Sequence, residues 1–136
     1  MSKEIWINLP VKDVKRSREF FRNIGFNINP NHNTDQMAAI SSGEGKAMVM
    51  LFPDPMFESF SNNKVADTQQ GTEAMFSFGA DSKEEVDETA KKVKEAGGTL
   101  FGGPAERDSW MYGFAFIDPD GHRWNMLYMD MSKMPK

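Results

Sequence analysis

Two histidines, twenty carboxylates and no cysteine make up this chain's stock of side chains for nucleophilic, acid-base and metal chemistry. Without Cys there is no thiolate nucleophile, no thiolate metal ligand and no disulfide, which excludes cysteine-hydrolase and thiol redox chemistry. His32 lies in the polar run Asn31-His32-Asn33-Thr34 and His122 abuts the turn Asp118-Pro119-Asp120-Gly121. Both read as structural or solvated rather than catalytic. Asp118 and Asp120 have the spacing of a metal-binding D-x-D, but beside Pro119 and Gly121 they read as turn organisers. Glu84, Glu85, Asp87 and Glu88 fall in the first turns of a predicted helix, where the helix dipole and solvation account for them. Arg107, Asp108 and Tyr112 are placed to reach a ligand from the loop before the seventh predicted strand.

The elements that must position these groups follow from periodicity. Ile5, Ile7, Leu9 and Val11 alternate with Trp6, Asn8 and Pro10, the period of a strand with two differently used faces. Asp13 is an N-cap, Val14, Phe20, Phe21 and Ile24 form one helical stripe, and Gly25 ends the helix before a strand near Phe26. Residues 36–41 and 46–53 read as strands flanking Ser42-Gly43-Glu44-Gly45, a glycine-bearing turn that suits a hairpin and not a phosphate cradle. The order then repeats. Residues 72–80 read as a strand, Ser82 to Glu85 is a capping box, and Val86, Ala90, Val93 and Ala96 form the stripe of a helix closed by Gly97-Gly98. Strands follow at 99–101, 110–117 and 123–129, the last two joined by a hairpin over Pro119 and Gly121. Between the halves, residues 54–71 carry Met56, Phe57 and Phe60 and then turn polar, as a linker with a short helix held by its phenylalanines.

A chain of 136 residues with 39% hydrophobic content suits one globular domain that buries roughly two-thirds of its unfolded surface. Its sixteen Lys and Arg are scattered among twenty acids for a net charge of -4, so no basic face awaits phosphates and nucleic acid is not expected as a partner. No apolar run reaches the roughly 18 residues of a membrane span, and no signal-peptide core follows Met1-Ser2-Lys3-Glu4. A soluble, cytoplasmic protein without membrane association is the expectation.

Asn8-Leu9-Pro10-Val11-Lys12-Asp13, then Ser17, Phe20-Phe21, Ile24-Gly25-Phe26 and the closing Asp118-Pro119-Asp120-Gly121 resemble the vicinal oxygen chelate superfamily of glyoxalase I, bleomycin-resistance proteins and extradiol dioxygenases. Thr72-Glu73, residues 82–87, Met111-Tyr112-Gly113 and Met129-Asp130 are similar to the bacterial glyoxalase-like branch termed "predicted lactoylglutathione lyase". The resemblance covers nearly the whole chain. It implies an α+β fold of two βαβββ modules, at 4–53 and 72–130 around a linker at 54–71, whose curved mixed sheets enclose a cleft within one glyoxalase-like domain.

The resemblance also implies metal ligands on four strands, and the corresponding positions here are Trp6, Met50, Ala74 or Met75, and Asn125. An indole nitrogen only donates, a thioether suits soft ions, and a neutral amide oxygen is weak, so Glu73 is the one nearby candidate. Zinc or nickel catalysis needs about three His or carboxylate ligands with an open position, and an extradiol site needs two His and a carboxylate on iron. The cleft positions instead offer Trp6, Asn8, Met48, Met50, Met75, Asn125 and Leu127, with Tyr112 at its edge. This apolar lining with two amides suits a small, largely apolar ligand. The expected function is therefore metal-independent binding or sequestration of such a molecule, as in bleomycin-resistance proteins, by a homodimer with no cofactor. Two alternatives are a glyoxalase-type lyase using Glu73, Asn125 or His122 with zinc or nickel, and a non-catalytic interaction module engaging partners through residues 56–60. The eleven methionines also allow a cleft filled by side chains.

Overall fold

The computed structural model of the protein describes residues 4–43 and 47–135. It divides between Asp67 and Thr68 into two compact units. The break falls inside the linker read from the sequence.

In the first unit, strand β1 (Trp6–Val11) leads into helix α1 (Val14–Asn23). Asp13 caps the helix, its carboxylate accepting from the Arg16 amide at 3.1 Å, which satisfies one of the free donors of the first turn. Val14, Phe20 and Phe21 are buried along the predicted stripe, and Gly25 takes a φ of 108° after the helix, a conformation that favours glycine. Strands β2 (Asn27–Ile28), β3 (Ala38–Ser41) and β4 (Met48–Pro53) complete a sheet ordered β1-β4-β3-β2, with β1 parallel to β4. The turn expected over residues 42–45 falls partly on Glu44 and Gly45, which lie outside the described residues.

Strand parity divides this sheet's side chains. Leu9, Leu51 and Ile40 are buried on one face, while Asn8, aligned with Met50, and Ala39, paired across from Met50, share the other. Helix α2 (Asp54–Ser61) starts where β4 ends and closes at Asn62 in a left-handed conformation, φ 54°. Its Met56 and Phe57 pack on a cluster of Ala39, Met50 and Phe52 that Met37 and Met48 also join. Phe60 meets Phe52 edge-on at 5.1 Å.

The second unit repeats the order: β5 (Met75–Gly79), α3 (Lys83–Glu95), β6 (Thr99–Arg107), β7 (Met111–Ile117) and β8 (Arg123–Met129). Its sheet runs β5-β8-β7-β6, again with one parallel pair, β5 with β8. Ser82 accepts from the Glu85 amide at 3.1 Å while Glu85 reaches back to the Asp81 amide at 2.7 Å, so the capping box closes one residue earlier than its usual form. Val86, Ala90 and Val93 of α3 are buried, as are Phe114, Phe116, Trp124 and Met126 of the sheet. Phe116 and Trp124 stack at 6.4 Å.

One strand exceeds its sequence reading. β6 does not stop at Phe101 but runs through Gly102-Gly103-Pro104 to Arg107, with register irregularities between Leu100 and Gly102 and between Gly102 and Ala105. Such bulges let a strand absorb residues that cannot sit in a regular ladder. Gly103 has φ 73°, and a Cβ there would lie 3.0 Å from the Phe114 Cα; only glycine allows this approach.

The β7-β8 connection is fixed by a buried acid. Asp118 accepts from the Asp120 amide at 2.9 Å, the His122 amide at 3.0 Å and the Trp124 indole at 3.0 Å. Thr68 adds a hydroxyl bond of 2.9 Å to the Asp120 carbonyl, and Gly121 has φ 90° beneath it. The D-x-D reading thus resolves as a turn, with Asp118 as its organiser.

Candidate functional site

The sequence positions proposed for the cleft separate between the two units, and each unit treats its share differently. In the first unit Met50 is only 9% exposed, because Met56 and Phe57 of α2 lie on its face together with Met48. Trp6 on the edge strand β1 is 58% exposed and Asn8 is also exposed. The methionine-lined half of the expected cleft is therefore occupied by the chain's own linker helix.

In the second unit the corresponding sheet face carries a cavity. Pairing sets its floor: Asn125 lies across from Ala115 and Leu127 from Gly113 on one side, and Gly102 and Ala105 pair with Ala115 and Gly113 on the other. With residues this small facing out of β6 and β7, the face stays concave, leaving a cavity of about 150 Å³ bordered also by Arg107. The floor cannot grow, because a Cβ on Gly113 would overlap the Met126 carbonyl and come 2.7 Å from the Leu127 side chain.

Three polar groups define the cavity's chemistry. Asn125 Oδ1 is buried and takes no hydrogen bond, so this side chain brings an unpartnered amide to the cavity lining. Glu106 is held by Lys83 at 3.0 Å on the helix side, and that ion pair keeps its carboxyl below the usual range and raises the Lys83 ammonium. Arg107 pairs across from Met111, the parity of Gly113 and Ala115, and among the described residues it makes no ion pair. Arg123, on the same face of β8, lays its guanidinium 4.8 Å from the centre of the Phe101 ring, a cation-π distance.

Met75 is 48% exposed on β5, and Glu73 and Ala74 are exposed just before that strand. Tyr112 corrects its sequence reading: it pairs with Tyr128 between the cavity-facing residues and so points to the other face. There its hydroxyl donates to Asp87 of α3 at 2.6 Å, a bond that raises the phenol's pKa. The signal was present in the alternation of Tyr112 with core Phe114 and Phe116. Gly102, Gly113 and Ala115 were missed because a small side chain carries no chemistry of its own. His32 lies in an exposed turn and His122 serves Asp118 through its backbone.

The four positions at which relatives would hold a metal do not fit one. Trp6 offers a donor, Met50 a thioether sealed under α2, Ala74 or Met75 nothing for a hard ion, and Asn125 an oxygen that is buried. Among the described residues no three His, Asp or Glu side chains cluster at metal-binding distances.

Residues 5–126 match the sequence model of the Glyoxalase/Bleomycin resistance protein/Dioxygenase superfamily. The chain belongs to that superfamily. Its fold, an α+β arrangement of two four-stranded mixed sheets, is the glyoxalase-like pairing of βαβββ modules that the sequence resemblance implied. Among solved structures, hypothetical protein SA1046 from S. aureus is similar at 36% identity and a TM-score of 0.82, over 94% of this chain and 95% of that one. Two more distant structures share the fold. TnmS3, an antibiotic binding protein from Streptomyces sp. CB03234, is 16% identical with a TM-score of 0.67, covering 95% of this chain and 97% of its own. A lactoylglutathione lyase from Agrobacterium tumefaciens is 19% identical with a TM-score of 0.64, covering 94% of each. No curated protein matches. No helix among the described residues is long and apolar enough to cross a membrane.

Proposed function

We propose that this superfamily member binds a small, largely apolar molecule without a metal or other cofactor. The observation that carries the reading is the contrast between the two halves of its chemistry: a donor set unfit for a divalent ion, beside a sheet face that keeps a cavity floored by Gly102, Gly113 and Ala115. Glyoxalase-type proton transfer draws its main stabilisation from a metal-bound enediolate, and an extradiol site needs a facial triad on iron. Neither chemistry finds its ligands at the four family positions, and no three His, Asp or Glu side chains cluster among the described residues. The fold itself is neutral, since it is shared by an antibiotic binding protein and a lyase; the residues on it favour binding.

The binding unit is proposed to be a homodimer. β1 is an edge strand of its sheet, with Trp6 58% exposed and Ile5, just before it, 84% exposed, and a second copy would cover an edge that is otherwise an aggregation hazard. Light scattering on a sizing column tests this, and a monomer at micromolar concentration would refute it.

The functional reading is tested by elemental mass spectrometry after dialysis against zinc, nickel, manganese and iron, followed by a thermal-shift screen of planar and aromatic molecules. No retained metal together with saturable ligand stabilisation is the expected result. A stoichiometric ion would overturn the metal-free reading.

A further inference from the structure

The cavity of the second unit carries more information than its apolar floor, and we infer that it takes the carbonyl or carboxylate end of a flat aromatic molecule, of the aryl carboxylate class. This deepens the binding reading and rests on it. Size comes first. A cavity of about 150 Å³ is of the order that accommodates a single benzene ring, and the floor of Gly102, Gly113 and Ala115 presents backbone and methyl surface with no side chain standing up from it.

Polarity then orients the ring. Asn125 lines the cavity with an amide whose oxygen has no partner, and an amide can turn its NH2, a pair of donors, to a guest. Arg107 offers only donors as well, and its charge is uncompensated among the described residues. The one carboxylate bordering the cavity, Glu106, belongs to the other strand face, where Lys83 holds it at 3.0 Å. The cavity thus offers one guanidinium without an ion pair among the described residues and one unpartnered amide, while its one carboxylate is engaged by a lysine. A cationic amine meets the like charge of the guanidinium, and a neutral alcohol forgoes the charge-assisted bond. A carboxylate can take a forked pair of bonds from the guanidinium and a further one from the amide.

The probes are benzoate and its neutral counterpart benzyl alcohol, titrated calorimetrically into the full chain at millimolar concentration. Benzoate is expected to saturate and to bind more tightly than benzyl alcohol. Arg107→Gln and Asn125→Asp each remove or reverse a contact to the anion while keeping the side chain's approximate size, and each is expected to weaken benzoate by about tenfold or more, the worth of a charge-assisted hydrogen bond. Ala115→Leu fills the floor and should abolish both probes, with an unchanged circular dichroism spectrum showing that the fold survives. Benzyl alcohol binding as well as benzoate, with Arg107→Gln without effect on either, would overturn the acceptor-end assignment and leave the binding reading standing. Failure of both probes and of larger planar aromatics to give any saturable heat would overturn both.

Discussion

Replacing Asp118 with Ala removes the acceptor for three donors at once, and the structure sets the scale of the loss. The Trp124 indole is 2% exposed and donates at 3.0 Å to one carboxylate oxygen, while the Asp120 and His122 amides share the other. Leaving the buried indole unpaired costs about 1–3 kcal/mol, and the two half-buried amides, which water can partly reach, add about 1 kcal/mol each. Against this, the mutant no longer buries an ion, so a net destabilisation of about 3 kcal/mol is expected. Asp118→Asn separates the parts. Its amide oxygen can keep both backbone bonds, but its NH2 then faces the indole NH, so it should lose only the indole's share, about 1–3 kcal/mol, and less than the Ala variant in either case. Urea unfolding followed by circular dichroism and tryptophan fluorescence measures both. A loss under about 1 kcal/mol for Ala, or equal losses for the two variants, would refute this accounting.

The same residue supplies a pH signature. Burial raises the Asp118 pKa above its ordinary value, opposed by the nearby His122 charge and by the hydrogen bonds it accepts. A raised folded pKa means that the folded state holds this proton at a pH where the unfolded chain, near a pKa of about 3.9, has released it. The contribution is therefore present at low pH and lost as pH rises through the folded value. Acidification from neutrality should stabilise the wild type relative to Asp118→Asn, and an unchanging difference would contradict the assignment.

Other consequences are testable more briefly. Met50→Ala should destabilise by about 2–5 kcal/mol, since it opens a void under Met56 and Phe57; chemical denaturation would show it. Gly113→Ala should lower stability by about 1–3 kcal/mol or more, because its Cβ has no room beside Met126 and Leu127. Tyr112→Phe should leave ligand affinity unchanged while removing from the titration the phenol held above its ordinary pKa, because Tyr112 faces Asp87 of α3 and not the cavity.

The elements were legible wherever one physical signal dominated. Asp13 and Ser82 announced their helices because a capping side chain has little other use at that position, and the apolar stripes behind them fixed which face is buried. The Asp118 turn was equally readable. β6 was not, because Gly102-Gly103-Pro104 carries none of the branched side chains that mark a strand, and its pairing is decided by β7 alone. The candidate site was half legible. Asn125, reached through the resemblance, and Leu127 border the cavity, but the fate of Met50 depended on how α2 docks, a tertiary event with no local trace. Tyr112 was misplaced by treating it as a loop residue when strand alternation had already assigned its face.

The docking of α2 also changes what the first unit can do. A helix whose Met56 and Phe57 occupy the Met48 and Met50 face is, in binding terms, a competitor supplied in cis. Tethered directly to the end of β4, it is present at an effective concentration that a short linker sets in the millimolar range. Any outside molecule seeking that face must outbid it. The first unit is thereby self-saturated, and shortening Met56 and Phe57 would work as an antagonist's removal does, unmasking a thioether-lined surface without altering the sheet beneath it.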